Sequence, residues 1–259
     1  MAIEVFNRYE KKFIIDDDTC NMLKEEFSKY MEADSHSRDG AIYTISNIYY
    51  DTPDNELIRR SIEKPVYKEK LRLRSYGMVP LDAKVFLEIK KKYNGLVNKR
   101  RTKILLSDAY RFIENKRFTN ADGSEDIPDF MNRQILNELT FFLERYENLR
   151  PALYLAYDRC AMFGIDDKDL RVTFDKNIIT RRYDLGLHYG NYGDSLLEEG
   201  KWIMEIKVNH TMPMWMVELL SKHEIRSTSF SKYGTEYKGM ITEKADNGKA
   251  EAASGLSCS

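Results

Sequence analysis

Lys68, Lys70, Arg72 and Arg74 occupy every second position of one stretch, separated by Glu69, Leu71 and Leu73, and Glu88, Lys90 and Lys92 recur in the same way around Ile89 and Lys91. An extended chain turns successive side chains to opposite faces, so each stretch sets a row of charge on one face of a sheet. The same period groups Arg8, Glu10 and Lys12, then Asn98, Arg100 and Thr102, and later Arg159, then Arg171, Thr173 and Asp175, then Glu205 with Lys207. Rows of this kind facing one another would line a channel with positive charge. Arg grips phosphate oxygens in a bidentate, permanently charged way and Lys supplies compact point charges. The ligand that suits such a channel is a long, flexible polyanion, with inorganic polyphosphate or a nucleoside triphosphate first. Glu10, Glu88 and Glu205 stand among the cations either as counter-ions or as ligands that hold a divalent metal against phosphates.

The elements that must position these residues follow from the same periodicities. Strands are expected at about 4–15, 42–50, 66–76, 82–93, 96–106, 152–163, 170–182 and 201–208, with Asn94-Gly95 marking a tight hairpin. Helices are expected after Asp16–Asp18, over 52–60, from Ser107, over 128–147 with Ile135, Leu136, Leu139, Phe142 and Leu143 as its apolar stripe, after Pro213, and over 231–243. In the helix after Pro213, Met214, Trp215, Val217 and Leu219 read as core packing. The Gly- and Tyr-rich stretch 184–200 reads as a flexible surface loop, with Tyr189 and Tyr192 as the base-stacking alternative. Eight long strands with helices outside them predict an α+β fold, a closed eight-stranded antiparallel barrel. A packed small barrel cannot take unpaired interior cations, so its lumen must be wet or hold an anion.

Composition narrows the classes further. The 259 residues carry 41 Lys+Arg against 42 Asp+Glu, a formal net charge of -1, so the basic rows are local. A protein that binds nucleic acid or an acidic membrane through its overall field more often carries a basic excess. Single-stranded nucleic-acid binding would also want aromatic platforms among the cations, where the neighbours here are chiefly aliphatic. Cys20, Cys160 and Cys258 are widely spaced and indicate neither a disulfide framework nor a zinc site, and the four histidines show no ligand spacing. No stretch has the length of a membrane span, and a cytoplasmic protein is expected, any membrane attachment coming from a partner. One domain is expected over 1–244, with 245–259 as a disordered tail.

In the order Arg8-Tyr9-Glu10-Lys11-Lys12-Phe13, Leu71-Arg72-Leu73-Arg74, Leu87-Glu88-Ile89-Lys90, Tyr157-Asp158-Arg159, Arg171-Val172-Thr173-Phe174-Asp175, Met204-Glu205-Ile206-Lys207 and Phe230-Ser231-Lys232-Tyr233, the chain resembles the triphosphate tunnel metalloenzymes, the CYTH-like superfamily. More closely, it resembles the catalytic domain of the vacuolar transporter chaperone (VTC) polyphosphate polymerases, over about residues 4 to 240. The resemblance implies an eight-stranded tunnel in which Arg72, Arg74, Lys90, Arg159 and Arg171 act on the transferred phosphoryl group. It implies further phosphate contacts from Lys12, Lys70, Arg100, Lys207 and Lys232, with Mn²⁺ or Mg²⁺ held by Glu205 and supported by Glu88. ATP and inorganic polyphosphate are the implied partners. Many tunnel hydrolases begin with Glu-x-Glu-x-Lys, and Arg8 stands where their first glutamate would be, which shifts the balance from triphosphate hydrolysis towards polymer synthesis. A non-catalytic polyphosphate-binding accessory protein is the reading from a different class.

Overall fold

The computed structural model describes residues 9–34, 37, 41–94, 96–119 and 130–255. Its long strands are β1 (Tyr9–Asp16), β3 (Tyr43–Asp51), β4 (Tyr67–Tyr76), β5 (Lys84–Tyr93), β6 (Leu96–Leu105), β7 (Arg150–Gly164), β8 (Arg171–Arg181) and β10 (Lys201–Val208). Two short strands, β2 (Met31–Ala33) and β9 (Asp194–Ser195), pair with β7 and β8. The helices are α1 (Asp17–Phe27), α2 (Glu56–Ile62), α3 (Leu106–Asn115), α4 (Phe130–Arg145), α5 (Met214–Lys222) and α6 (Lys232–Gly255). α6 continues past the expected end near 243 into the stretch read as a tail, and Arg8 lies outside the described residues.

The strands form one antiparallel sheet in the order β1-β10-β8-β7-β3-β4-β5-β6. This corrects the expected closed eight-stranded barrel: among the described residues the sheet has ten strands, and its terminal strands β1 and β6 do not pair with each other. The sheet nevertheless curls, since Lys90 on β5 lies within electrostatic reach of Glu10 and Lys12 on β1 and of Glu205 and Lys207 on β10. Both edges carry charge, Lys11 and Lys12 on one, where Lys12 also bridges to Thr228, and Lys99, Arg100 and Arg101 on the other. Edge lysines and arginines oppose edge-to-edge pairing.

Apolar residues of the other parity build the core on the convex side. Ile48, Leu71, Leu73, Val85, Leu87 and Ile89 pack under Phe112 of α3 and Leu139, Phe142 and Leu143 of α4. Phe13, Phe174, Met204 and Ile206 pack under Leu23 and Phe27 of α1 and Met216 and Leu220 of α5. On α5 Met216 and Leu220 are the buried residues; of the expected stripe Trp215 and Leu219 pack partly buried against the same core, Trp215 also stacking on Tyr30 at 4.2 Å, while Met214 and Val217 are exposed. Local chemistry starts the helices where they start: Asp16 accepts the Thr19 N–H at 2.9 Å with Asp17 and Asp18 in the first turn of α1.

On the concave side, α2 and α6 cover one end of the sheet around Ile45, Leu153, Leu155, Ile203 and Tyr233. Asp51 ties them together, its carboxylate accepting the Leu57 and Ile58 N–H groups at the start of α2 and the Tyr233 hydroxyl of α6. The 184–200 stretch is pinned rather than free. Buried Arg181 donates to the carbonyls of Asp184, Gly186, Gly190 and Tyr192 and lies against the Tyr192 ring, so Tyr192 already has a stacking partner.

Candidate anion-binding site

The register shows which side chains share the concave face. Lys12 lies opposite Glu205, which lies opposite Thr173; Arg159 lies opposite Asp175 and Tyr43; Asn47 and Tyr49 lie opposite Arg74 and Arg72. Further along, Lys70 faces Lys90 and Arg72 faces Glu88. Directly opposed residues point the same way, so all the expected site residues on the strands share this face except Arg100, and Lys232 reaches it from α6. Arg100 is opposite Ile89 on the convex side and pairs there with Glu138 of α4 at 3.4 Å. Asn98 and Thr102 turn outward with it, and Lys99 and Arg101 take the concave positions opposite Lys90 and Glu88. The signal was in the sequence. Asn94 holds a positive φ of 44° and the turn sets Tyr93 opposite Leu96, so even-numbered residues of β5 must face odd-numbered ones of β6.

Three acid-centred clusters organise much of this face. Glu88, 2% exposed, receives Arg72 Nε at 2.9 Å on one oxygen and the Lys99 ammonium at 2.6 Å on the other, with Arg74 at 3.8 Å. Burial alone would raise the Glu88 pKa; Arg72, Arg74 and Lys99 instead hold it far below the usual carboxylate range. Asp175 is fully buried, bound by Arg159 through both carboxylate oxygens at 2.6 and 2.8 Å and by Lys232 at 2.6 Å. Burial again opposes ionisation, and Arg159 and Lys232 bring Asp175 down to about 2. In the third cluster, Glu205 is bound by Lys207 and lies 3.5 Å from Lys12, which is also 3.2 Å from Glu10 and donates to the Phe230 carbonyl at 3.1 Å. Against the effect of burial, Lys207, Lys12 and Arg159 hold Glu205 well below its ordinary value.

The lysines of β4 and β5 are arranged differently. Lys68 faces Lys92 and Lys70 faces Lys90, which in turn faces Lys99. Burial, reinforced by Lys68, Lys90 and Lys12 against Tyr49, pushes Lys70 down to about 8. Lys90 is lowered by burial and by Lys207 and Lys12, against Glu10 and Glu205. Its side chain is nevertheless exposed to solvent, so the concave face is open there rather than filled with packed side chains. Lys99 falls to about 7 through withdrawal from water and the charges of Arg72 and Arg74, although Glu88 opposes this.

Two tyrosines also stand on this face, outside the rows of charge. Tyr49 accepts from Arg72 at 3.3 Å, and Arg72, Lys70 and Arg74 outweigh its burial to bring the phenol down to about 8. Tyr157 accepts from Arg74 at 3.5 Å and lies under Arg159, with its ring centroid 5.0 Å from the guanidinium carbon. The signal for Tyr49 was the run Tyr43, Ile45, Asn47, Tyr49, which shares one parity, and that for Tyr157 was its two-residue spacing from Arg159. Arg171 stands at the other end of the face, 3.4 Å from Asp34 and 4.8 Å above the Phe163 ring.

Among the described residues no group of three or more His, Cys, Asp and Glu is placed to hold a metal ion. Glu88 and Glu205 are alike in having cations on both carboxylate oxygens, Arg72 and Lys99 on the one and Lys207 and Lys12 on the other, but the Lys12 contact to Glu205 is the looser at 3.5 Å and is shared with Glu10. Glu205 with Glu10 fits a different kind of site. A magnesium-like ion is commonly held by one or two carboxylates and completed by substrate phosphates and water. Beside Glu205, the buried Thr173 hydroxyl finds no hydrogen-bond partner among the described residues, and nor does buried Arg171 Nε. Orphaned groups of this kind want a ligand.

A curled antiparallel sheet with a wet, cation-lined concave face defines an anion-binding tunnel or trough. The chain belongs to the VTC domain family, whose model matches residues 7–241. No curated protein sequence matches it. Among solved structures, it is similar to a protein from Vibrio parahaemolyticus described as a candidate adenylate cyclase (13% identity, 90% of this chain and 98% of the other, TM-score 0.48). It is also similar to a candidate adenylate cyclase from Bacillus halodurans (16% identity, 87% and 95%, TM-score 0.48). A third is a candidate adenylyl cyclase from Hippeastrum with a dominant triphosphatase activity (16% identity, 89% and 95%, TM-score 0.48). Among the described residues no helix is long and apolar enough to cross a membrane.

Proposed function

We propose that this protein transfers the γ-phosphoryl group of ATP to the end of an inorganic polyphosphate chain lying on the concave face. The observation that carries this reading is the meeting, on one face, of Arg72 and Arg74 from β4, Lys90 from β5, Arg159 from β7, Arg171 from β8 and Lys12 from β1. Phosphoryl transfer asks little covalent chemistry of a protein; positioning and charge neutralisation carry the rate. Glu88 and Asp175 hold Arg72 and Arg159 in fixed orientations before substrate arrives, so little reorganisation remains. Arg72, Arg74, Lys90, Arg159 and Arg171 stabilise charge on the transferred group, while Lys12, Lys70, Lys207 and Lys232 hold the flanking phosphates. The bond from phosphorus to the β,γ-bridging oxygen breaks and one to a terminal oxygen of the chain forms. That oxygen is already ionised, so no general base is needed, and ADP leaves with the bridging oxygen.

Glu205 and Glu10 would hold Mn²⁺ or Mg²⁺ brought in on the nucleotide, and the ion would neutralise charge on the phosphate oxygens. Hydrolysis of a triphosphate is the second reading, favoured by the solvent exposure of Lys90 and Lys99 in the open trough. The deciding experiment is incubation with γ-labelled ATP and either metal, separating orthophosphate from long chains on a gel. A labelled ladder is expected. Orthophosphate alone would make the protein a triphosphatase, and no turnover despite tight polyphosphate binding would make it an accessory protein.

A further inference from the structure

The cations of β4 continue past the acid-centred clusters. From Arg74 to Lys68 the concave face of the strand runs six residues, about 20 Å at the ordinary rise, more than three linked phosphates cover. Its last step, Lys68 opposite Lys92, has no carboxylate bound to it among the described residues. The Lys68 ammonium instead donates to the Ser61 carbonyl in the last turn of α2 at 3.1 Å. That carbonyl belongs to the negative end of a helix and is a weak substitute for a counter-ion. Like charges directly opposed across a ladder destabilise it, and an arrangement of this kind suits a ligand that brings negative charge. Lys68 is lowered by burial and by Lys92, Lys90 and Lys64, all of them cations, and Lys64 lies just beyond α2.

We propose that Lys68 and Lys92 form an extension subsite for inorganic polyphosphate, holding the chain beyond the phosphates on the central arginines and guiding it out between the end of α2 and the β5–β6 hairpin. This rests on the reading of the concave face as a polyphosphate site, and it adds a direction and a length requirement. Binding would displace the Ser61 carbonyl from Lys68 and neutralise the two opposed ammonium groups at once. Each phosphate neutralised also releases condensed counter-ions, so the subsite is felt as salt-dependent affinity for long chains.

The test compares the dissociation constants of inorganic tripolyphosphate and of long-chain polyphosphate in the wild-type protein and in the Lys68→Gln, Lys92→Gln double variant. The variant is expected to lose about tenfold more affinity for the long chain than for tripolyphosphate, with a shallower salt dependence for the long chain. The Lys68→Arg, Lys92→Arg variant is expected to restore long-chain binding, which separates loss of charge from loss of fold. Equal losses for both ligands, or no loss for either, would overturn the extension subsite and leave the central site standing. Wild-type protein that binds neither ligand would overturn both.

Discussion

Two regions of the concave face hold their positive charge in opposite ways. Around Glu88 and Asp175 each guanidinium is oriented by a buried carboxylate. Along Lys68, Lys70, Lys90 and Lys92 cation faces cation, and burial and neighbouring charge depress the pKa values of Lys68, Lys70 and Lys90. The first region is preorganised and structural, since removing either partner strands a buried charge. The second is under electrostatic tension that Glu10 and Glu205 relieve in part at Lys90 and that a bound anion would relieve further.

The sharpest way to break the first region is Asp175→Ala, which leaves Arg159 and Lys232 without their carboxylate. A loss of about 3–5 kcal/mol is expected in denaturant unfolding. Acid acts on the same group. The Asp175 pKa is depressed from its ordinary 3.8 to about 2, so its stabilisation is present above about pH 4 and disappears as pH falls towards 2. A pH titration of unfolding should therefore separate wild type from the variant above pH 4 and draw them together below it.

Next in size are effects on turnover. Arg72→Ala should lower phosphoryl transfer by about a thousandfold and weaken polyphosphate binding, since it removes a group held ready by Glu88. Glu205→Gln should lower metal-dependent turnover by about a hundredfold while retaining some polyphosphate affinity. Single-turnover kinetics and a direct binding assay separate the two cases. Full activity in the Glu205→Gln protein would remove a glutamate-held metal from the mechanism.

A smaller effect sharpens the second region. The groups facing Lys70 are Tyr49, Lys68, Lys90 and Lys12, with the Tyr233 ring 5.9 Å from its ammonium. Lys70 and Tyr49 both titrate near pH 8, and above it the lysine loses positive charge while the phenol gains negative charge. Both changes oppose a polyanion, so affinity should be greatest below pH 8 and fall by about tenfold as pH rises through 8 to 10. Calorimetric titration over this range checks the sign. The Tyr49→Phe variant should show a shallower fall.

The strands, the hairpin and the concave-face cations on β1, β4, β5, β8 and β10 were legible in the sequence because a two-residue period under partial burial writes itself into residue choice. Arg100 was misassigned for a definite reason: the parity of β6 had to be carried across the Asn94-Gly95 turn, and the register reverses odd and even there. Whether Glu88 and Glu205 act as counter-ions or metal ligands was not legible, since one carboxylate among cations reads alike in both roles until its partners have distances. Closure of the barrel depends on whether two strands at opposite ends of the sheet pair, and nothing local to either strand decides that.

The comparison as a whole rests on the claim that the lysine rows are a standing electrostatic conflict resolved by a bound polyanion. It is tested most directly by the melting temperature of the Lys70→Met, Lys90→Met variant beside wild type at pH 7, each with and without inorganic polyphosphate. The account predicts that the variant melts higher than wild type in the absence of ligand and loses most of the rise that polyphosphate gives the wild type. A variant that melts lower and keeps the full polyphosphate-induced rise would contradict it.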